Sequence, residues 1–346
     1  MKNKHRNIPI FIPHLGCPNM CVFCNQRSIS GKTEFDRESV ACEIETALAT
    51  IDKSAEVEIA YFGGSFTGID RYLMIYLLDL AASYVNDVRA DRAQAVGIRL
   101  STRPDYISEE IMEILSRYPI KTVELGLQSM DDTVLRLSNR GHTAADAERA
   151  CELIKNAGYS LIGQMMIGLP GGTMGNELYT AQKICDMGAD GARIYPTVTF
   201  FDTELACMAQ RGEYEMLSID DAIYRSKEVY KLFSERDVEC IRIGLCSSDN
   251  LGDMTKVMGG ANHPALGELV LGEAYYDELC NVMERAGGKR ALDGRTVTVS
   301  VPRGELSRAI GQRGKNRDRL CQKYGIKKIK FTEQDIKKLT LTVSEN

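Results

Sequence analysis

Long apolar runs are what this chain of 346 residues most conspicuously lacks. Its greasiest stretch, Tyr72 to Val85, is interrupted by Asp79 and falls short of the roughly 20 apolar residues that a bilayer-spanning helix needs. The start, Met1-Lys2-Asn3-Lys4-His5-Arg6, leads only into a short apolar segment from Ile8 to Pro13, so no secretory leader is expected. A disulfide framework is lacking too. The eleven cysteines are odd in number, and Cys151, Cys185, Cys207 and Cys280 sit singly inside apolar patterns, as small buried hydrophobes do in a reducing compartment. No low-complexity segment or clear long repeat is visible. Together these absences exclude a membrane-spanning protein and a disulfide-stapled secreted one, and a cytoplasmic location is expected.

What is present is an alternation. Strand-like runs rich in β-branched and aromatic residues fall at Ile8–Ile12, Val57–Phe62, Val96–Ser101, Thr122–Leu127, Ser160–Ile167 and Ala192–Val198. Helical patterns follow at 37–51, 70–88, 108–116, 143–157 and 176–187, with a later one at 220–234. Six βα units in series predict an α/β fold with a parallel sheet and outer helices, a partial (βα)6 barrel. Polar and glycine-rich residues collect just after the strands: Gly63-Gly64-Ser65-Phe66, Ser101-Thr102-Arg103-Pro104-Asp105, Gln128-Ser129 and Gly168-Leu169-Pro170-Gly171-Gly172. In βα barrels that edge is the active-site face.

The composition shifts near Gly287-Gly288. From Lys289 to Asn346 there are fifteen Lys and Arg against six Asp and Glu, a charge near +9 on a chain of net −5. Residues 1–288 therefore carry about −14, and a basic tail on an acidic body points to an anionic partner for the tail. We read residues 1–288 as the barrel domain with its closing segment and 289–346 as a small α+β domain, ordered strand (Thr296–Val301), helix (Glu305–Ile310), glycine loop, helix (Asn316–Tyr324), strand (Lys328–Thr332).

Cys17, Cys21 and Cys24 follow the first strand in the spacing Cys-x3-Cys-x2-Cys. Three thiolates on one loop can hold three corners of a cubane iron–sulfur cluster and leave the fourth iron open to a ligand. Zinc is the rival, with His14 completing a Cys3His set, although structural zinc sites usually draw on two separated ligand pairs.

Cys17-Pro18-Asn19-Met20-Cys21-Val22-Phe23-Cys24, placed after a first barrel strand, resembles the radical S-adenosylmethionine superfamily. The resemblance covers most of residues 8–275. It implies a 4Fe-4S cluster on Cys17, Cys21 and Cys24 whose open iron chelates S-adenosylmethionine, and one-electron cleavage of that cofactor to methionine and a 5′-deoxyadenosyl radical. An electron donor such as flavodoxin or ferredoxin is then expected. Gly63-Gly64-Ser65 is similar to the motif that binds the methionyl amino group, with Ser65 where the family often has an acidic residue. Within the superfamily, Ser101 to Asp105, Glu124-Leu125-Gly126-Leu127-Gln128-Ser129, Asn139-Arg140-Gly141-His142-Thr143 and Arg193-Ile194-Tyr195-Pro196 resemble the radical domain of the Elongator catalytic subunit, which modifies wobble uridine in transfer RNA. A weaker likeness, through Gly168 to Gly171 and His263 to Leu269, is to oxygen-independent coproporphyrinogen oxidases. These motifs imply that Ser101, Gln128, Arg140 and Gln164 line the S-adenosylmethionine pocket, and that Arg193 and Tyr195 face the substrate. Cys246 is a further candidate for radical or thiol chemistry. The acetyltransferase domain of the Elongator subunit has no counterpart of sufficient length here, and no second cysteine triad is present for an auxiliary cluster.

In the tail, Gly311-Gln312-Arg313-Gly314 separates two predicted helices, with Lys315 and Arg317 opening the second. A Gly-x-x-Gly turn in a β-α-α-β frame lets a nucleic-acid backbone approach a helix N-terminus. The run resembles the KH-domain signature, as in the KH repeats of the transcription factor NusA, and implies RNA contact through Gly311, Gln312, Arg313, Gly314, Lys315 and Arg317. The sequence thus leads to a radical S-adenosylmethionine enzyme acting on RNA, transfer RNA or ribosomal RNA. A porphyrin or other small-molecule enzyme, or a cluster-bearing redox-sensing RNA-binding regulator, are the alternatives.

Overall fold

The computed structural model describes residues 5–12, 15–17, 21–25, 35–89, 91–245, 255–336 and 339–344. The chain forms two compact units, one of Met1–Ser218 with Leu232–Pro264 and one of Ile219–Lys231 with Ala265–Asn346. No helix among the described residues is long and apolar enough to cross a membrane.

The first unit is built on a curled parallel half-barrel. Its strands are β1 (His5–Ile12), β2 (Glu56–Gly63), β3 (Gln94–Thr102), β4 (Ile120–Gln128), β5 (Ser160–Ile167), β6 (Gly191–Pro196) and, beyond a short β7 (Val198–Phe200) that pairs antiparallel with β9 (Val257–Gly260), β8 (Glu239–Ile243). The sheet runs β1-β2-β3-β4-β5-β6-β8, every pair parallel. All six strands read from the sequence are present. The seventh, β8, adds an edge strand whose residues are exposed or half-buried, which is why its apolar pattern is weak. The connecting helices are α1 (Val40–Thr50), α2 (Arg71–Asn86), α3 (Glu109–Leu115), α4 (Asp132–Leu137), α5 (Ala144–Asn156) and α6 (Met174–Asp186), followed by α7 (Glu204–Gln210); of α8 (Ile219–Glu235), residues 219–231 belong to the second unit.

Local chemistry sets these helix starts. Thr143 and Asp146 form a reciprocal capping box at α5, and Thr173 with Asn176 forms another at α6. Each supplies acceptors for backbone N–H groups that the first turn leaves unpaired. Strands β2 to β6 are buried on both faces. One face packs apolar side chains such as Ile59, Leu100 and Val123 toward the helices. The opposite, interior face carries Glu58, Arg99, Glu124 and Arg193, all buried, and their pairing defines the site below.

The second unit has a sheet of three strands, β10 (Thr296–Pro302) between β11 (Lys328–Gln334) and β12 (Thr340–Ser344). Strand β10 pairs parallel with β11 and antiparallel with β12. Between β10 and β11 run α11 (Leu306–Ile310) and α12 (Lys315–Tyr324), and before them α9 (Leu266–Arg285) and α10 (Gly288–Leu292). The boundary read from the sequence at Gly288 lies inside this unit. Tyr275, Leu279 and Met283 of α9 share one apolar core with Val297, Val299, Val301 and Leu320. Gly287 and Gly288, both at positive φ, form the sharp reversal between α9 and α10, a turn rather than an interdomain linker.

Candidate cofactor site at the carboxyl edge of the half-barrel

The loops after β1 and β2 interlock through their backbones. Gly64 N donates to Ile12 O at 2.8 Å, and Ser65 N donates to Leu15 O at 3.0 Å. A β-carbon on Gly64 would overlap the Leu15 carbonyl, and one on Gly16 would overlap the Ser65 carbonyl. Glycine is required here because backbone meets backbone. The Ser65 side chain is fully buried. Its hydroxyl lies 2.8 Å from Thr102 Oγ1 and accepts from Arg103 N at 3.3 Å. It ties the glycine loop to the end of β3.

The cysteine loop is anchored to the same edge. Val22 N donates to Ser138 O at 3.2 Å, Leu205 N donates to Val22 O at 2.8 Å, and Asn25 donates to the Asp202 carboxylate. Cys21 is buried, Cys24 half-buried and Cys17 exposed. Among the described residues no three His, Cys, Asp or Glu side chains stand together as a metal cage, and Cys21 lies near enough for its charge to act on Cys17. His14 and Cys246 lie outside the described residues.

Two guanidiniums flank the thiols. Arg140 Nη1 donates to Cys21 Sγ at 3.2 Å and its Nη2 to Gly126 O at 2.6 Å. Arg103 is clamped by Asp105, with Nε–Oδ1 2.9 Å and Nη2–Oδ2 2.8 Å, and also donates to Arg140 O. Crowding by the surrounding chain pushes the Cys17 thiol up although part of its surface reaches water, and Arg103 and Arg140 oppose that rise. At the end of β4 the register shifts between Gly126 and Gln128, and Gln128 takes φ +66°. A non-glycine residue held there is strained, and the bulge re-aims its amide. A β-carbon on Gly126 would stand 2.9 Å from Gln128 Nε2 and 3.3 Å from Arg140 Nη2, so glycine admits both side chains.

Several buried atoms at this edge make no protein hydrogen bond: Arg103 Nη1, Gln128 Oε1, Arg140 Nε and both ring nitrogens of His142, whose Nδ1 lies 4.0 Å from Asp105 Oδ1. Burial, reinforced by Arg140, pushes His142 down to about 4, so the ring is neutral at pH 7. Orphaned buried polar atoms are rare without a ligand to satisfy them. Three thiols, two arginines and an unpaired amide oxygen suit a thiolate-bound cluster and a small polar molecule with anionic and hydrogen-bonding groups.

Below this edge, one network crosses the interior face. Glu124 is fully buried and accepts from Arg99 Nη1 (2.7 Å), Arg193 Nε (2.8 Å), Arg193 Nη2 (2.9 Å) and Gln164 Nε2 (2.7 Å). Gln164 Nε2 also donates to Ser101 Oγ at 3.4 Å. Arg99 continues to Glu58 at 2.7 Å, which accepts from Thr122 at 2.8 Å and lies 2.7 Å from His5. Burial opposes the Glu124 charge, but Arg193 and Arg99 outweigh it and hold the carboxyl low. Burial likewise works against Arg193, and Tyr195 and Glu124 overcome it, so the guanidinium stays charged. Ser101, Gln164 and Arg193 are thus brought together, and Tyr195 stands beside Arg193. Arg103, Asp105, His142 and Glu124 were not singled out from the sequence. Their signal was membership of the strand-end motifs, without spacing that marks a function.

A profile described as the Radical SAM superfamily matches residues 11–182, and one described as the Radical_SAM C-terminal domain matches residues 189–276. The chain belongs to the radical SAM superfamily. It is therefore an enzyme of the radical SAM class, whose members use a 4Fe-4S cluster and S-adenosylmethionine. Elongator complex protein 3 of Schizosaccharomyces pombe is 31% identical over 181 residues, 48% of this chain and 33% of that protein. A Methanocaldococcus jannaschii protein named tRNA uridine(34) acetyltransferase is 27% identical over 230 residues, 62% of this chain and 41% of that protein. This radical SAM chain therefore spans less than half the length of either relative. The solved structure of Methanocaldococcus infernus Elp3 with an N-terminal deletion superposes with a TM-score of 0.62 at 21% identity, covering 83% of this chain and 64% of that one. It shares the fold.

Proposed function

We propose that this radical SAM enzyme modifies a nucleotide in RNA, with transfer RNA as the favoured substrate. Cys17, Cys21 and Cys24 hold the cluster, and the Gly63-Gly64-Ser65 loop with Ser101, Gln128, Arg140 and Gln164 lines the S-adenosylmethionine pocket. The cluster and cofactor supply one-electron reductive cleavage, for which a flavodoxin or ferredoxin provides the electron. Arg140 balances anionic charge beside the thiolates, and Arg193 with Tyr195 meets the nucleotide. Cys246 is kept as a candidate for the same role. The second unit holds the RNA through a KH-like frame, with Gly311, Gln312, Arg313 and Gly314 at its turn. Acetyl transfer is no part of the proposal.

The observation that carries the RNA substrate is the likeness over 230 residues to a protein named for uridine 34 of transfer RNA. The β-α-α-β order around a Gly-x-x-Gly turn in the second unit supports it. The deciding experiment compares the nucleosides of transfer and ribosomal RNA from cells with and without the gene. One modified nucleoside missing from transfer RNA, restored by the wild-type gene and not by Cys21→Ala, is the expected result. Identical nucleoside profiles would overturn the reading.

A further inference from the structure

The positive charge of the second unit is not free where the sequence concentrates it. Lys315 Nζ lies 2.9 Å from Glu273, and Arg317 Nε lies 2.7 Å from Asp318. Arg319 pairs with the same Glu273 at 2.7 Å and stacks 3.7 Å from the Tyr276 ring centroid. Of Arg313, Lys315 and Arg317 around the turn, Arg313 alone has no carboxylate partner among the described residues.

Free charge instead lies on the sheet. The register sets Thr296 opposite Lys328, and Thr298 between Lys330 and Thr342. Alternate residues of a strand point to opposite faces. Val297, Val299 and Ile329 enter the core, so the lysines and threonines share the outer face. Lys328, Lys330 and Thr342 are exposed, and neither lysine makes an ion pair among the described residues. The next row is again hydroxyl: Thr332 is exposed, while Ser300 is buried with its hydroxyl 3.3 Å from Thr332 Oγ1. Glu333 points to the other face, where its carboxylate accepts from Gly304 N at 3.0 Å. The described outer-face positions on β10, β11 and β12 therefore include no carboxylate.

We propose that this open face is a second RNA contact, separate from the Gly-x-x-Gly turn, gripping the phosphodiester backbone. The inference rests on the RNA reading above. Two lysines two residues apart on one strand stand roughly 7 Å from each other, close to the step between successive phosphates of an extended strand. Ammonium groups supply the sequence-independent attraction, and the exposed hydroxyls of Thr332 and Thr342 donate to phosphate and ribose oxygens. The face has no large apolar side chain of the kind that seats a protein on a bilayer interface, which favours RNA over a membrane.

The test measures binding of total transfer RNA to the full-length protein across a salt series, for wild type, for Lys328→Ala with Lys330→Ala, and for Gly311→Asp with Gly314→Asp. The lysine pair is expected to weaken binding about tenfold at 0.1 M salt, and to make the slope of log affinity against log salt shallower by about 1.5, the loss of two phosphate contacts. Lysine acetylation read by mass spectrometry adds a direct readout: RNA should protect Lys328 and Lys330. Wild-type binding that the lysine pair leaves unchanged, with both lysines equally reactive when RNA is bound, overturns the sheet-face contact while leaving the RNA reading standing. A wild type that binds no RNA, or binds phosphatidylserine vesicles in its place, overturns both.

Discussion

At the scale of single residues, the chemistry turns on how few groups are free. Both oxygens of Glu124 are taken, by Arg99, Arg193 and Gln164, so one carboxylate fixes a residue assigned to the cofactor and one assigned to the substrate. Removing its charge leaves two buried guanidiniums underpaired, which costs about 3 kcal/mol or more. Glu124→Gln should therefore lower the unfolding free energy by about that amount. It should also slow turnover at least tenfold while the reconstituted chain keeps its full iron content and visible absorption. A chain that loses its iron as well would mean that Glu124 supports the loop rather than the pocket. The cysteine triad was legible because its spacing is itself chemical. Glu124 was not, because an interior glutamate on a strand reads the same as a surface one until the neighbouring strands supply its arginines. The bond of Ser65 was hidden for the same reason: only the fold brings its hydroxyl to Thr102.

At the scale of elements, the six strands and most of the helices between them could be read from periodicity, because parallel strands covered on both faces are short and apolar. What escaped was short or at an edge. Helix α4 has six residues, too few for a helical repeat to declare itself, although its cap was visible: Asp131 accepts from the N–H groups of Thr133 and Val134. The bulge at the end of β4 could not be seen either, yet it places Gln128 and Arg140. Gly126→Ala tests that placement. The new methyl would press on Gln128 Nε2 and Arg140 Nη2, both side-chain ends that can give way. The strand should survive, with a stability change of about 1 kcal/mol. Affinity for S-adenosylmethionine, followed by equilibrium dialysis of the reconstituted enzyme, should fall about tenfold if Arg140 and Gln128 hold it. Unchanged affinity would remove both residues from the pocket.

At the scale of the whole molecule, the sequence separates an acidic body from a basic end by composition, but composition marks charge, not packing. It placed the division at the Gly287-Gly288 turn, whereas the core of the second unit recruits α9 from before it. Buried titratable groups are equally invisible in composition, and they set how the fold responds to acid. His142 is held down at about 4 by burial and by Arg140, against about 6.5 in an unfolded chain. The unfolded state therefore binds this proton first. The stability that a neutral His142 contributes is complete above pH 6.5 and is lost as the pH falls toward 4. Glu58 acts lower on the scale. Burial would raise it, but His5, Arg99 and Thr122 bring it to about 2, so its contribution is complete above about pH 4.5 and drains away between there and pH 2. The two windows barely overlap, which makes the first separable. Between pH 7 and pH 5 the chain before cluster reconstitution should lose about 2 kcal/mol of unfolding free energy in urea titrations. His142→Phe keeps an aromatic ring in the buried site and removes both ring nitrogens. In that variant the loss between pH 7 and pH 5 should vanish, while the steeper decline below pH 4.5 persists. A variant whose pH 7 to pH 5 decline matches the wild type would show that another group takes up the proton.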